Sequence, residues 1–306
     1  MIVMVTGARG LIGSRLVPEL VRAGHAVMRA VRRAPVASDE IQWTPETGAL
    51  EPARPCDAVI HLAGHSLAAG RWTARNKQRA WSSRVDGTRA LCERLAASST
   101  PPRVFVSASG IGIYGDRGDE RLDEASAPAA DFLGELAQAW EAGSQPLQRA
   151  GCRTVSLRLG LVLAREGGAL PLLLLPARLG LGGRLGSGRQ YWSWVAIEDV
   201  VAVFGRALER PGLSGAVNVV APEPVRQAEF ARVLGRLLRR PAWFPTPALV
   251  LRSVLGEMAE ATILASARVM PRRLEEDGYR FRHPDLEKAL EAILAARPVD
   301  AHRARP

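Results

Sequence analysis

Apolar and polar positions along the first half of the chain switch between two periods. Residues 1–6 are an apolar run of strand length, residues 11–23 repeat their apolar positions at helical spacing, and residues 26–31 are a second apolar run. Gly24, directly after the helical stretch, suits a helix C-cap. Residues 57–62 (DAVIHL), 103–109 (RVFVSAS) and 153–159 read as further strands, with helices over 84–97 and 132–148. Strands alternating with helices predict a parallel sheet covered on both faces and wound right-handedly. After about residue 160 the pattern loosens into a glycine-rich loop (GLGGRLGSGRQ, 180–190) and shorter helices at 196–209 and 227–239. That change predicts a smaller lobe over the carboxyl edge of the sheet. Residues 295–306 read as a frayed tail.

The turn between the first strand and the first helix is TGARGLIG, which places Gly7, Gly10 and Gly13 three apart. In an open parallel sheet the ligand sits beyond the carboxyl ends of the strands. A helix start there offers free N–H groups and the positive end of its dipole to a pyrophosphate. Gly7 permits the tight turn, Gly10 lets the backbone approach the phosphates, and Gly13 lets the helix pack closely on the strand. Arg9, Leu11 and Ile12 lie in the same turn and are expected to touch the dinucleotide with them. At the end of the second strand, Val31 is followed by Arg32 and Arg33, with no acid until Asp39. An acidic residue would bind the ribose hydroxyls of NAD, whereas a guanidinium pairs with the 2′-phosphate of NADP. Arg32 is the expected clamp and NADP the expected cofactor; solvated arginines in an arginine-rich chain would give the same letters. The expected fold class is α/β, a Rossmann-like doubly wound parallel sheet with a smaller mixed C-terminal lobe.

Composition narrows this picture. At 306 residues and 47% apolar content the chain can bury a large core, as one domain or as a domain with a smaller lobe. No stretch reaches the ~20 apolar residues of a membrane span, and the greasiest run, 169–176, is broken by prolines. No secretory signal is expected, since the sequence opens directly on the first strand pattern, and Cys56, Cys92 and Cys152 have neither metal-ligand nor redox-pair spacing. A cytoplasmic protein without a membrane partner is expected. The formal net charge of +10 raises nucleic acid as a partner. Yet the arginines read as scattered and the only lysines are Lys77 and Lys288, so no nucleic-acid partner is expected.

The TGxxGxxG spacing resembles the short-chain dehydrogenase/reductase superfamily, particularly its extended branch of nucleotide-sugar epimerases and dehydratases. The HLAG stretch resembles that branch's turn, which implies cofactor contacts at Leu62, Ala63 and Gly64. Segments 71–89, 107–120, 180–200, 218–225 and 270–286 resemble the atypical, YfcH-like "epimerase family", which carries its own small C-terminal domain. By that resemblance Arg84 is a cofactor contact and Val162 passes the nicotinamide end. The implied organisation is an NADP-binding domain over 1–160, with about 196–220 returning to it. A substrate lobe follows over 161–300, including the family's C-terminal domain at about 247–294.

Most enzymes of this superfamily use a tyrosine with a lysine four residues later, whose charge lowers the tyrosine pKa. Tyr114, Tyr191 and Tyr279 are followed at that distance by Gly118, Val195 and His283, so YxxxK is absent. Phe132 and Leu136 stand where the pair is expected. Tyr114 is the replacement candidate for proton donor and Ser109 for holding the substrate oxygen. The YG turn is also a structural feature of the extended branch, and comparison around it places Gly110, not Ser109, at the usual hydroxyl position. His61 reads as a core or edge histidine, His65 as a loop histidine near the substrate entrance. Asp116, Asp119, Glu120, Asp123 and Glu124 read as a solvated acidic loop, with acid/base work as the alternative. No metal-ligand spacing occurs.

The stretch GSGRQYWSWV (186–195) either lines a pocket for a planar or sugar-like ligand or buries its aromatics against the second lobe. Arg272 and Arg273 meet either an anion or water. Two functions stay open. One is an NADP-dependent oxidoreductase or epimerase acting on a nucleotide-sugar-like or other small carbonyl or alcohol substrate. The other is a non-catalytic NADP(H)-binding or sensing protein.

Overall fold

The computed structural model describes residues 1–68 and 70–296. In the first half, β1 (Ile2–Thr6) leads into α1 (Gly13–Arg22), followed by β2 (Ala26–Val31), β3 (Glu40–Thr44), β4 (Ala49–Glu51) and β5 (Ala58–His61). Next come α2 (Ala74–Trp81), a π-helical turn at Ser82–Asp86, α3 (Gly87–Ala96), β6 (Val104–Gly110) and the short β7 (Arg121–Leu122). Then α4 (Phe132–Ala142), α5 (Gln145–Arg149), β8 (Arg153–Leu159), β9 (Leu161–Leu163) and α6 (Leu170–Arg178) follow. The remaining chain gives β10 (Tyr191–Trp192), β11 (Trp194–Ala196), α7 (Ile197–Glu209), β12 (Gly215–Val219), β13 (Val225–Arg226) and α8 (Gln227–Leu237). It closes with α9 (Ala248–Leu255), β14 (Arg268–Val269), α10 (Arg272–Glu276) and α11 (Leu286–Ala295).

Eight strands form the central sheet in the order β12-β8-β6-β5-β1-β2-β3-β4, all parallel except the β3–β4 hairpin. This is the α/β class the alternating pattern predicts. Because side chains alternate along a strand, β1 feeds two cores at once. Val3 and Val5 pack with Leu16, Val200 and Phe204, whereas Met4 packs with Leu91 and Phe105 on the other face.

Three details depart from the sequence reading. The hairpin of β3 and β4 widens the sheet, and the helix expected at 84–97 is preceded by α2 and the π turn. The helix expected over 132–148 breaks between α4 and α5, where Gly143 and Ser144 intervene and Pro146 starts the second piece. Beyond β8 the chain builds a second core from α6, α8 and α11 around Trp192, Trp194 and Phe230. The aromatics of 186–195 thus divide: both tryptophans are core, and their indole N–H groups donate to the carbonyls of Ile263 and Glu223. β12 returns to the edge of the main sheet beside β8. Of the stretch read as a frayed tail, residue 295 ends α11 and 297–306 lie outside the described residues.

Candidate functional site

The start of α1 is built from backbone alone. Gly7 adopts φ 67°, and a Cβ there would stand 2.8 Å from the Leu62 carbonyl carbon. A Cβ on Gly13 would overlap the Gly7 carbonyl oxygen, so only glycine lets the helix begin against the turn. The Gly10 amide donates to the Gly7 carbonyl at 2.9 Å, and Ile12, at the N-cap, supplies no side-chain cap. The amides of Leu11, Ile12 and Gly13 have no acceptor among the described residues. Three unsatisfied donors at a positive dipole end make an anion cradle. Leu11, Ile12, Leu62 and Val162 pack as half-buried side chains on one core cluster, so the structure brings these expected contacts together. Leu11 also abuts the 167–168 backbone, where a Cβ on Gly167 would meet it at 3.1 Å.

The HLAG turn is pinned from several sides. The Thr6 hydroxyl lies 3.2 and 3.3 Å from the amides of Leu62 and Ala63 and 2.8 Å from His61 Nδ1. Accepting both amides, it donates its proton to Nδ1, which leaves Nε2–H to donate to Thr88 Oγ1 at 3.0 Å. Burial holds the His61 pKa down at about 4. His61 is therefore a neutral core group, as its apolar strand implies. One turn further, Ser83 accepts the His65 amide at 3.0 Å and Arg84 Nη1 donates to the His65 carbonyl at 2.7 Å. His65 thus enters through its backbone.

Arg84 sits in the π turn with its guanidinium 5.1 Å from the Trp140 ring and directly behind Gly64. Burial lowers its pKa to about 10, and its Nε is buried without a partner. π turns recur at functional sites. An orphaned buried guanidinium N–H beside the glycine turn fits a missing acceptor there.

At the far end of β2, three arginines gather around two acids. Glu40, almost fully buried, accepts from Arg33 at 2.9 Å, Arg9 at 3.3 Å and the Val36 amide at 3.0 Å. The amide bond, with help from Arg33, holds its pKa near 2 despite burial. Arg29 pairs with Asp39 at 2.6 Å. Arg32, exposed, has no ion-pair partner among the described residues. Sequence reasoning missed Glu40, because a strand-start glutamate shows its partners only once β2 and β3 are aligned.

The expected acid/base pair meets a different arrangement. Tyr114 has no exposed surface. Its phenol donates to Asn218 Oδ1 at 2.7 Å and accepts from Arg158 Nη1 at 2.9 Å, and burial raises its pKa against the pull of Arg158. Arg158 grips Glu141 through two 2.8 Å bonds, and Glu141 accepts from the Ser109 hydroxyl at 2.7 Å. Ser109 and Tyr114 are thus the ends of one buried polar chain that joins β6, α4 and β8. Gly110, by contrast, would point a side chain into open space, with only the Gly112 amide at 3.9 Å. Leu136 is buried, and Phe132 lies under the Lys77 ammonium at 4.9 Å and against Trp72. Neither can move a proton.

The acidic loop is largely exposed at Asp116, Asp119 and Glu120, and its carboxylates are also paired. Asp119 bonds Arg226, Asp123 bonds Arg272, Glu120 bonds Arg117, Asp116 accepts from the Ser266 amide, and Glu124 accepts the Asn218 amide. Arg273 donates to the carbonyls of Ser214 and Ala216, so Arg272 and Arg273 clasp the loop and β12 instead of a free anion. Tyr191, the half-exposed aromatic of its stretch, carries Arg226 at 4.0 Å and Arg268 at 4.9 Å from its ring. Arg268 Nε is buried without a partner, and Asp119 is the one carboxylate among these groups. The hydrogen bond from Arg226, with Arg189 and Arg268 nearby, keeps Asp119 below the usual carboxylate range.

The NAD dependent epimerase/dehydratase family profile matches residues 3–220, and a domain of unknown function, DUF1731, matches residues 246–293. The epimerase family protein Mb2239 of Mycobacterium bovis is 39% identical over 291 residues, 94% of this chain and 96% of its own. The crystal structure of human epimerase family protein SDR39U1 (isoform 2) with NADPH is similar at a TM-score of 0.89 and 35% identity, over 96% of this chain and 99% of that one. UDP-glucose 4-epimerase of Thermotoga maritima, solved with UDP-glucose, shares the fold at a TM-score of 0.74 and 18% identity, over 96% and 97% of the two chains. The chain therefore belongs to the NAD dependent epimerase/dehydratase family.

Proposed function

We propose that the protein binds NADP(H) and acts as an oxidoreductase or epimerase on an anionic, nucleotide-sugar-like substrate. The observation that carries the cofactor reading is the glycine-floored start of α1 with its three unsatisfied amides. Those amides take the pyrophosphate, with Gly7, Arg9, Gly10, Leu11, Ile12 and Gly13 forming the turn. Arg32 takes the 2′-phosphate, because Arg9 and Arg33 are already engaged by Glu40. Ala63, Gly64 and Arg84 flank the middle of the cofactor, and Leu62 and Val162 its nicotinamide end. The human relative described with NADPH supports the choice of NADP. A bound nicotinamide supplies hydride chemistry.

The chain's own residues provide the rest. Arg268, which lies over the Tyr191 ring without a carboxylate of its own, holds the substrate's anionic end by charge-assisted hydrogen bonds, while Arg226 stays paired with Asp119. The Ser109–Glu141–Arg158–Tyr114 chain keeps the ends of β6 and β8 in place. The Ser109 proton is committed to Glu141 and the Tyr114 proton to Asn218, so proton exchange at the substrate falls to water.

A second reading is a protein that binds NADP(H) without turnover; the absence of YxxxK and the burial of Tyr114 favour it. Incubation with NADP⁺ or NADPH and a panel of nucleotide sugars, followed at the reduced-nicotinamide absorbance and by product analysis, separates the two. Turnover of any member establishes the enzyme. Tight NADPH binding with no turnover across the panel leaves the second reading.

A further inference from the structure

The positive charge is less evenly spread than its sequence order implies. Residues 167–190 contain Arg178, Arg184 and Arg189, and residues 230–256 contain five further arginines; neither segment has an acidic residue. Three of the eight are paired with acids from outside these segments, Arg232 with Glu229, Arg236 with Glu287 and Arg252 with Glu260. Arg178, Arg184, Arg239 and Arg240 have no ion-pair partner among the described residues, and all four are exposed.

The same two segments carry the largest exposed apolar side chains of the second lobe. Leu172 and Leu175 are exposed on α6, and Leu179 at its C-cap. Backbone bonds between Thr246 and Arg184 (2.8 Å) and between Gly186 and Thr246 (2.9 Å) lay residues 241–246 beside the loop that leaves α6. Trp243, 83% exposed, and Phe244 therefore stand beside the loop that leaves α6, and Leu249 (71% exposed) and Val254 are exposed along α9. Exposed large apolar side chains gathered on adjoining segments of one lobe mark an interaction surface.

We infer that this face lies on an anionic lipid bilayer, with the leucines, Trp243 and Phe244 in the headgroup–acyl boundary and the arginines on the lipid headgroups. Charge complementarity selects that occupant. A second copy docked by two-fold symmetry would set acid-free, arginine-rich segments against themselves. Nucleic acid would meet mostly aliphatic side chains, which offer no face for a base to stack on. The early expectation of no membrane partner rested on the lack of a spanning segment, which does not bear on surface contact; no helix among the described residues is long and apolar enough to cross a membrane.

The test is flotation of the full chain with vesicles of phosphatidylcholine alone or mixed with phosphatidylglycerol. Association with the anionic vesicles is expected, weaker on the neutral ones. Replacing Arg239 and Arg240 by Gln should lower partitioning about thirtyfold. Trp243→Ser with Leu175→Ser should abolish it, both variants melting and binding NADPH like the parent. Failure to float with anionic vesicles, or flotation that neither variant weakens, overturns the proposal. So does concentration-dependent dimerisation, or single-stranded DNA binding, that the same substitutions remove.

Discussion

At Gly13 a single missing methyl decides whether the helix can start where it does. Gly13→Ala pushes a Cβ into the Gly7 carbonyl, and overpacking of that kind costs about 1–3 kcal/mol or shifts α1 outward. NADPH affinity should fall with the lost amide geometry, as read by fluorescence titration; affinity equal to the parent's would contradict the cradle. Arg32 is the matching test for selectivity. Charged hydrogen bonds contribute about 1.5–3 kcal/mol, so Arg32→Ala should weaken NADPH by about tenfold or more and leave NADH unchanged. An unaltered preference for NADPH moves the clamp to Arg9 or Arg33. These two positions were readable from the sequence because each acts through its own backbone or its own free charge. Glu40, Glu141 and Asn218 were not, since each matters only through partners that are distant in the chain.

Between elements, the strands are tied by buried polar groups that titrate or pair as units. His61 links β1, β5 and α3 and stays neutral in the fold, with a pKa of about 4 against about 6.5 in the unfolded chain. The unfolded chain therefore binds the extra proton first, and stability falls as pH drops from about 6.5 to 4, by about 3 kcal/mol in total. Denaturant midpoints across that window, compared with those of His61→Gln, should show a slope in the parent that the variant lacks. Equal slopes would remove His61 from the account. Tyr114→Phe leaves Asn218 Oδ1 and Arg158 Nη1 without their partner, a cost of about 1–3 kcal/mol, visible as a lower melting temperature at unchanged NADPH affinity. An unchanged melting temperature would contradict the buried chain. Element types were legible where one period ran unbroken, as in β1, α1 and β6. The β3–β4 hairpin escaped notice because its strands are short and joined by polar residues, and the helix break at Gly143 because the apolar period resumes beyond it.

Across the whole molecule, the order of motifs from the glycine turn to the second domain identified the family, and the sheet order bears out the α/β class. What the sequence order hid is how surfaces assemble. The face shared by α6, residues 241–246 and α9 comes from segments some seventy residues apart, and Lys77 of the first half meets Glu257 of the second at 2.6 Å. Both depend on the lobes being packed together. The central claim remains the cradle at the start of α1, and calorimetric titration of the folded protein with NADPH and with NADH tests it most directly. The account predicts saturable one-to-one heat with NADPH and weaker binding of NADH; no heat with either nucleotide would contradict it.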